Sequence, residues 1–332
     1  EPSEIPEKIL THNLFGIEID ERAGELAAFA LTMKARAKQR RFFNKGIKPN
    51  ICVLENIHFD ADELSEYMDF IGRDLFTTPL QTTLRQFEEA DNFGSLIRPE
   101  LTDVEGVLNM LEAKDVSGQL FLNQTHQKVL QALRQADYLC SKYHVVVANP
   151  PYKKKGDLNS DLQSFLTKNY PDSFSDLYAA FIDRLGDSCV DKGLLAMIAM
   201  DSWLFGDDYS DMRSKLLTDF PFLQLAHLGP SAFDEIKGQV VQVACFVSQR
   251  LGESENLGQF FDLTEGTTSG EKASMLLRRH GEYIARAADF RSLPRNVVAY
   301  FASEHTRKAY ADGLQLKEIA EAYTGLQTGD NP

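Results

Sequence analysis

The sequence predicts an α/β fold: a mainly parallel sheet with helices on both faces, interrupted by a large helical insertion and finished by an antiparallel last strand. Three observations carry this prediction. Short aliphatic runs alternate with longer stretches of helical periodicity, the pattern of strands joined by helical crossovers. One long stretch, residues 60–143, is helical in pattern throughout. The 332 residues are 43% hydrophobic and 25% charged, enough apolar material for a substantial buried core.

The elements follow in order. LFGIEI at 14–19 is a short apolar run ending in acids, and ERAGELAAFALTMKARA at 21–37 places alanine, leucine and phenylalanine at helical spacing, so strand is followed by helix. ICVL at 51–54, after Pro49, is a second buried-type strand. Residues 60–143 include DADELSEYMDFIGRDLF, TTLRQFEEADNF, VEGVLNMLEAKDV and NQTHQKVLQALRQADYLCSKY, all helical in period with polar breaks between them. A structureless connection of that length would be improbable in a folded domain.

Strand and helix then alternate again: strands at 144–148, 194–200 and 222–228, helices at 175–190 and 207–218, and a long final strand, QVVQVACFVSQ, at 239–249. Beyond residue 250 the pattern loosens into Gly/Ser/Thr-rich and helical pieces. SEHTRKAYADG and LQLKEIAEAY read as helices and TGLQTGDNP as an exposed loop. The resulting division is 1–59, 60–143, 144–250 and 251–332.

Composition excludes several classes. No run approaches the ~20 apolar residues of a membrane span, and no signal peptide opens the chain, so the expected location is cytoplasmic. Cys52, Cys140, Cys189 and Cys245 are scattered, with no CxxC and no nearby histidine cluster; neither a metal nor a disulfide is expected. The net charge of −14 argues against a general polyanion binder, although a basic groove on an acidic body remains open. KARAKQRR at 34–41 reads as a solvated helix face. Lys153, Lys154 and Lys155 are the stronger candidates because of what precedes them.

That preceding stretch is VVVANPPY, residues 145–152. Parallel sheets bind ligands at their strand carboxyl ends. Here a β-branched run, read as a buried central strand, ends in Asn149, Pro150, Pro151 and Tyr152. Each proline fixes φ and lacks an N–H, so the turn is rigid and its carbonyls meet few internal donors. It offers the Asn149 side-chain oxygen, the Pro150 carbonyl and the flat ring of Tyr152. An exocyclic amino group needs such partners, because its lone pair is delocalised into the ring and must be freed to act as a nucleophile. Aromatic stacking on a base contributes ~1 to 3 kcal/mol, and a base reaches such a pocket only by leaving the duplex.

Asn-Pro-Pro-Tyr after a hydrophobic strand resembles motif IV of the amino-methyltransferases that use S-adenosylmethionine, which implies a Rossmann-like methyltransferase sheet. NLFGIEID at 13–20 resembles motif II. That resemblance implies that Glu18, with Ile19 beside it, meets the cofactor and that the Glu18 carboxylate accepts from the ribose hydroxyls; Asp20 reads as a helix cap. ICVLENI resembles motif III, with Glu55 or Asn56 at the adenine amino group and Ile57 against the ring. HLGPSAFDEIKGQVVQVACFV at 227–247 resembles motif VIII, which would place Phe233 over the other face of a flipped base; an ordinary buried phenylalanine remains the alternative. Phe181 and Trp203, in segments resembling the next helix and strand, read as core.

One element of the family pattern is missing. The glycine-rich motif I should precede residue 13, nothing in EPSEIPEKILTH resembles it, and no GxG occurs in the chain. With Glu1 at one end and GDNP at the other, the expectation is a fragment that is inactive alone and binds cofactor poorly.

NLFGIEIDERAGELAAFALTMKAR, the helical insertion, FRSLPRNVVAYFASE at 290–304 and KEIAEAYTGLQTGDN together resemble the PglX methyltransferases of BREX phage-defence systems. The resemblance implies methylation of adenine N6 in double-stranded DNA. It also implies S-adenosylmethionine as cofactor, lysines 153–155 near phosphate, no metal, no membrane, and other phage-defence proteins as possible partners. A modification subunit of a type I or II restriction system, a protein-glutamine N5-methyltransferase and a non-catalytic DNA- or partner-binding scaffold stay open.

Overall fold

The computed structural model describes residues 2–72, 77–116, 120–234, 241–314 and 316–321. The chain divides into two compact units, Glu1–Lys142 and Tyr143–Pro332.

In the first unit β1 (Phe15–Glu18) and β2 (Asn50–Val53) pair in parallel, Phe15 opposite Asn50 through Glu18 opposite Val53. Parallel neighbours need a crossover, and α1 (Glu21–Lys38) provides it. Asp20 starts that helix by accepting from the backbone N–H groups of Arg22 and Ala23 at 2.9 and 3.2 Å, as the sequence led us to expect. Gly24 lets helix and sheet approach closely, since a Cβ there would stand 2.6 Å from Val53 Cγ2.

The expected helical stretch forms α2 (Ala61–Ile71), α3 (Thr77–Gln86), α4 (Val104–Glu112) and α5 (Leu120–Cys140), with shorter turns between them. Leu54, Ile57, Phe59, Leu64, Phe87, Leu111 and Leu133 share one core, so the strand ends and the helices bury a common apolar surface. Glu63 ties α2 to α5, accepting from Thr125 at 2.7 Å and Lys128 at 2.9 Å.

The second unit is a six-stranded sheet: β3 (Tyr143–Ala148), β4 (Cys189–Met200), β5 (Phe222–Gly229), β6 (Val243–Gln249), β7 (Leu257–Asp262) and β8 (Glu282–Arg286), in spatial order β3-β4-β6-β5-β7-β8. β3 is parallel to β4 and β5 to β7, while β6 runs antiparallel between β4 and β5. The helices are α6 (Ser160–Asn169), α7 (Leu177–Asp187), α8 (Ser210–Asp219), α9 (Ser269–Leu277), α10 (Ala287–Arg291), α11 (Glu304–Asp312) and the single turn α12 (Leu316–Ile319). Trp203 packs against Phe222 and Phe246 at the centre of the core, and Phe181 lies half-buried at its edge, both as ordinary packing residues.

Three features differ from the sequence reading. The antiparallel strand is β6, but β7 and β8 extend the sheet beyond it, β8 again antiparallel. α6 was not read at all, although Asn159 caps it by accepting from Leu162 N–H at 2.9 Å. The run at 145–147, expected to be a buried central strand, pairs among the described residues only with β4. Val146 is 9% exposed, whereas Val145 and Val147 are 56% and 73% exposed. Successive side chains of a strand point to opposite faces, and only the Val146 side meets the packed core. TGLQTGDNP lies outside the described residues. No described helix is long and apolar enough to cross a membrane.

Candidate functional site

Strand β3 ends at Ala148 and delivers the turn to the carboxyl edge of the sheet. Asn149 is exposed, Pro150 buried, Pro151 exposed and Tyr152 half-buried. The Tyr152 hydroxyl donates to Asn149 Oδ1 at 2.9 Å and also reaches the Ile198 carbonyl of β4 at 3.4 Å. With the hydroxyl donating, Oδ1 is fixed as the acceptor of the amide and keeps a second lone pair. Burial pushes the Tyr152 hydroxyl up to about 12, with the Cys245 thiol adding a smaller push, so at neutral pH it remains a donor. Among the described residues no backbone donor outside the regular elements reaches the Pro150 carbonyl.

An open groove of about 520 Å³ takes in Asn149 together with Val147, Ile198, Ala226, Cys245 and Phe261. Its walls are largely apolar and Asn149 supplies a polar group at the turn, the general pattern of a small-molecule site.

The lysine triplet is partly committed. Lys155 Nζ lies 4.4 Å from the Phe174 ring centroid. Lys154 forms an antiparallel bridge with Asp176, and Leu177 N–H donates to the Lys153 carbonyl at 2.9 Å. The ends of Lys153 and Lys154 stay exposed. Phe233 follows β5 at the same carboxyl edge and is half-buried.

In the first unit Glu18 closes β1 half-buried, and its Oε1 accepts from the N–H groups of Ile19 and Asp20 at 2.8 and 3.2 Å. This holds the carboxylate in place and leaves Oε2 open among the described residues. Ile19 is 47% exposed. Glu55 is exposed, and its Oε2 accepts from Gln131 at 2.6 Å. Asn56 uses its oxygen on Asp91 N–H at 3.0 Å. Ile57 is 4% exposed and belongs to the helical core, so little of its side chain is left for a ligand.

The sequence reading missed Asp176, Tyr178 and Tyr209, buried polar side chains behind the acceptor turn. An aspartate before a helical run reads as an N-cap, and tyrosines in apolar runs read as core. The useful signal was the number of polar groups close to a turn already marked as functional. Among the described residues no group of three His, Cys, Asp or Glu could hold a metal.

An α/β sheet that ends a hydrophobic strand in a rigid Asn-Pro-Pro-Tyr acceptor turn defines a class of methylase-type chains. The chain belongs to the Eco57I restriction-modification methylase family, whose model matches residues 12–233. It is 32% identical over 323 residues to the adenine-specific methyltransferase BrxX of Escherichia coli O9:H4 (strain HS), covering 90% of this chain and 27% of that one. It is 30% identical over 341 aligned positions to the adenine-specific methyltransferase PglX of Lacticaseibacillus casei (strain Zhang), covering 99% of this chain and 28% of that one. The chain thus spans little more than a quarter of the length of these curated relatives. Among solved structures, the DrdV–DNA complex is similar with 14% identity and a TM-score of 0.46, over 82% of this chain and 24% of that one.

Proposed function

We propose that this chain carries the amino-group-binding part of a DNA adenine N6-methyltransferase that uses S-adenosylmethionine and marks host DNA in phage defence. The observation that carries the reading is the Tyr152 hydroxyl holding Asn149 Oδ1 in place beside an apolar groove, at the end of a strand. Membership of a restriction-modification methylase family and the names of the BrxX and PglX relatives support it.

In this reading an adenine leaves the duplex and lies against the Tyr152 ring, with Phe233 as the candidate for its other face. Asn149 Oδ1 takes one amino hydrogen and the Pro150 carbonyl the other. Two acceptors on the two hydrogens favour a pyramidal nitrogen whose lone pair is free of the ring. No general base is required, because the nitrogen becomes acidic once it is alkylated and loses its proton afterwards. Lys153 and Lys154 lie close enough to the turn in sequence to meet backbone phosphate.

The residues of the first unit suit the cofactor. The pinned Glu18 carboxylate keeps an open oxygen for a diol, and Glu55 offers an acceptor to an adenine amino group. S-adenosylmethionine, when bound, supplies an electrophilic methyl carbon.

The test is long-read mapping of modified adenines in host DNA with the intact gene, without it, and with Asn149→Ala. New N6-methyladenine at a defined site that Asn149→Ala abolishes is the expected result. Absence of such marks with the intact gene, or transfer of labelled methyl to protein and not to DNA, would overturn the reading.

A further inference from the structure

Behind the turn lies a buried polar cluster that the transfer chemistry itself does not use. Asp176 is 6% exposed and stands at the N-cap of α7, yet its side chain caps nothing there. It accepts instead from the Tyr209 hydroxyl. Tyr209 and Tyr178 face one another with ring centroids 6.1 Å apart, and the Tyr178 hydroxyl meets Ser202 Oγ at 2.8 Å.

The backbone around Asp176 is clasped to the loop that follows Tyr152. Lys154 bridges Asp176, Leu177 N–H donates to the Lys153 carbonyl at 2.9 Å, and Lys155 N–H donates to the Ser175 carbonyl at 3.0 Å. Asp176 is therefore tied through its main chain to the residues just after the turn and through its carboxylate to Tyr209, at the start of α8. The other tie is Tyr152 itself, which reaches β4 at Ile198. The turn is held from both sides.

This arrangement is costly for a merely structural residue. An N-cap aspartate stabilises its helix by accepting from the N–H of the second or third residue, and Asp176 forgoes that bond. A carboxylate taken out of water is costly unless it is paired, and what Asp176 keeps is the Tyr209 hydroxyl and the charge of Lys154. Burial holds its carboxyl above the usual range, with the Tyr209 hydroxyl and the Lys154 charge pulling the other way and Asp208 adding to the rise.

We propose that Asp176, anchored by Tyr209, is a positioning residue for methyl transfer, fixing where the Asn149–Tyr152 turn stands against the incoming amino group. The proposal rests on reading that turn as the methyl-acceptor site. Misplacing reacting groups by about 1 Å costs on the order of a hundredfold in rate. The pair should therefore act on kcat while leaving the binding of DNA and cofactor nearly unchanged.

The experiment uses the intact methyltransferase polypeptide, unmodified genomic DNA and tritiated S-adenosylmethionine, with Asn149→Ala as the reference variant. Tyr209→Phe and Asp176→Leu are expected to lower kcat at least tenfold, with both KM values within twofold and faster hydrogen exchange at the Lys155 and Leu177 amides. Asp176→Asn, which still accepts from Tyr209, is expected to recover the rate to within threefold. If Asn149→Ala abolishes transfer while Tyr209→Phe and Asp176→Leu keep kcat within twofold, the positioning role is wrong and the acceptor site stands. If Asn149→Ala leaves transfer intact, the acceptor reading falls and takes the positioning role with it. Should Asp176→Leu fail to fold, Tyr209→Phe, which removes a single oxygen, decides by the same criteria.

Discussion

Asn149 and Tyr152 show how a side chain's role depends on its neighbour. An exposed asparagine amide is free to rotate even on a rigid turn, but the Tyr152 hydroxyl at 2.9 Å selects the Asn149 oxygen as the acceptor held at the turn. Tyr152→Phe keeps the ring and deletes that bond. We expect about a tenfold loss in kcat, equivalent to about 1.4 kcal/mol of transition-state stabilisation, with KM for DNA unchanged. Tyr152→Ala, which also removes stacking, should lower kcat further and raise KM for DNA. Steady-state methylation of genomic DNA by the intact polypeptide measures both: an unchanged kcat in Tyr152→Phe would remove the orienting role, and equal effects of the two variants would remove the stacking role. The turn was legible in the sequence because its chemistry is contiguous: four adjacent residues supply acceptor, rigidity and ring. Asp176 and Tyr209 were not legible, because they meet that turn only through the tertiary fold.

At the level of elements, the segment 294–301 illustrates what periodicity cannot reveal. Arg213 on α8 is fully buried, and among the described residues it meets no carboxylate; its guanidinium donates to the carbonyls of Arg295 at 2.8 Å, Asn296 at 3.2 Å, Trp203 at 2.7 Å and Gly206 at 2.5 Å. One planar donor set thus staples a strand-to-helix loop to a segment more than eighty residues later. Arg213→Met would leave several buried carbonyls without donors, each costing about 1–3 kcal/mol. Urea unfolding of the second unit should show a loss of about 3 kcal/mol or more; a loss under 1 would mean that water replaces the guanidinium. Gly24 is the corresponding test in the first unit. Valine there gains helix propensity over glycine but meets Val53 Cγ2 at 2.6 Å. Overpacking costs typically about 1–3 kcal/mol, so Gly24→Val should destabilise the first unit by about 2 kcal/mol in its own urea unfolding transition. The strands β7 and β8 escaped notice for a different reason: LGQFFD and EYIAR are short, mixed in polarity and separated by a helix, so only the pairing of β7 with β5 and of β8 with β7 identifies them as sheet.

Across the whole molecule, half-buried and buried acids of raised pKa set an alkaline limit. Burial pushes the thiols of Cys52 and Cys245 from an ordinary 9.0 up to about 11, and the hydroxyls of Tyr152 and Tyr209 from 10.0 up to about 12. Each group binds its proton more tightly folded than unfolded. Its contribution is therefore complete below the unfolded value and is lost as pH rises through the folded one. Unfolding free energy measured from pH 7 to 11 should be flat to about pH 9 and then fall, and replacing Cys52 and Cys245 by alanine should delay the fall. A profile level to pH 11 in the unaltered protein would contradict this. The sequence by itself determined the α/β class, the helical stretch and the position of the Asn-Pro-Pro-Tyr turn at a strand end, because alternation, period and a contiguous motif are local properties of the chain. Only the tertiary structure decided that the NPPY strand pairs solely with β4 among the described residues, that two further strands extend its sheet, and that Asp176 and Tyr209 stand behind the turn. Those facts depend on which distant backbone groups pair and which side chains lose water together, and no window of sequence contains both partners.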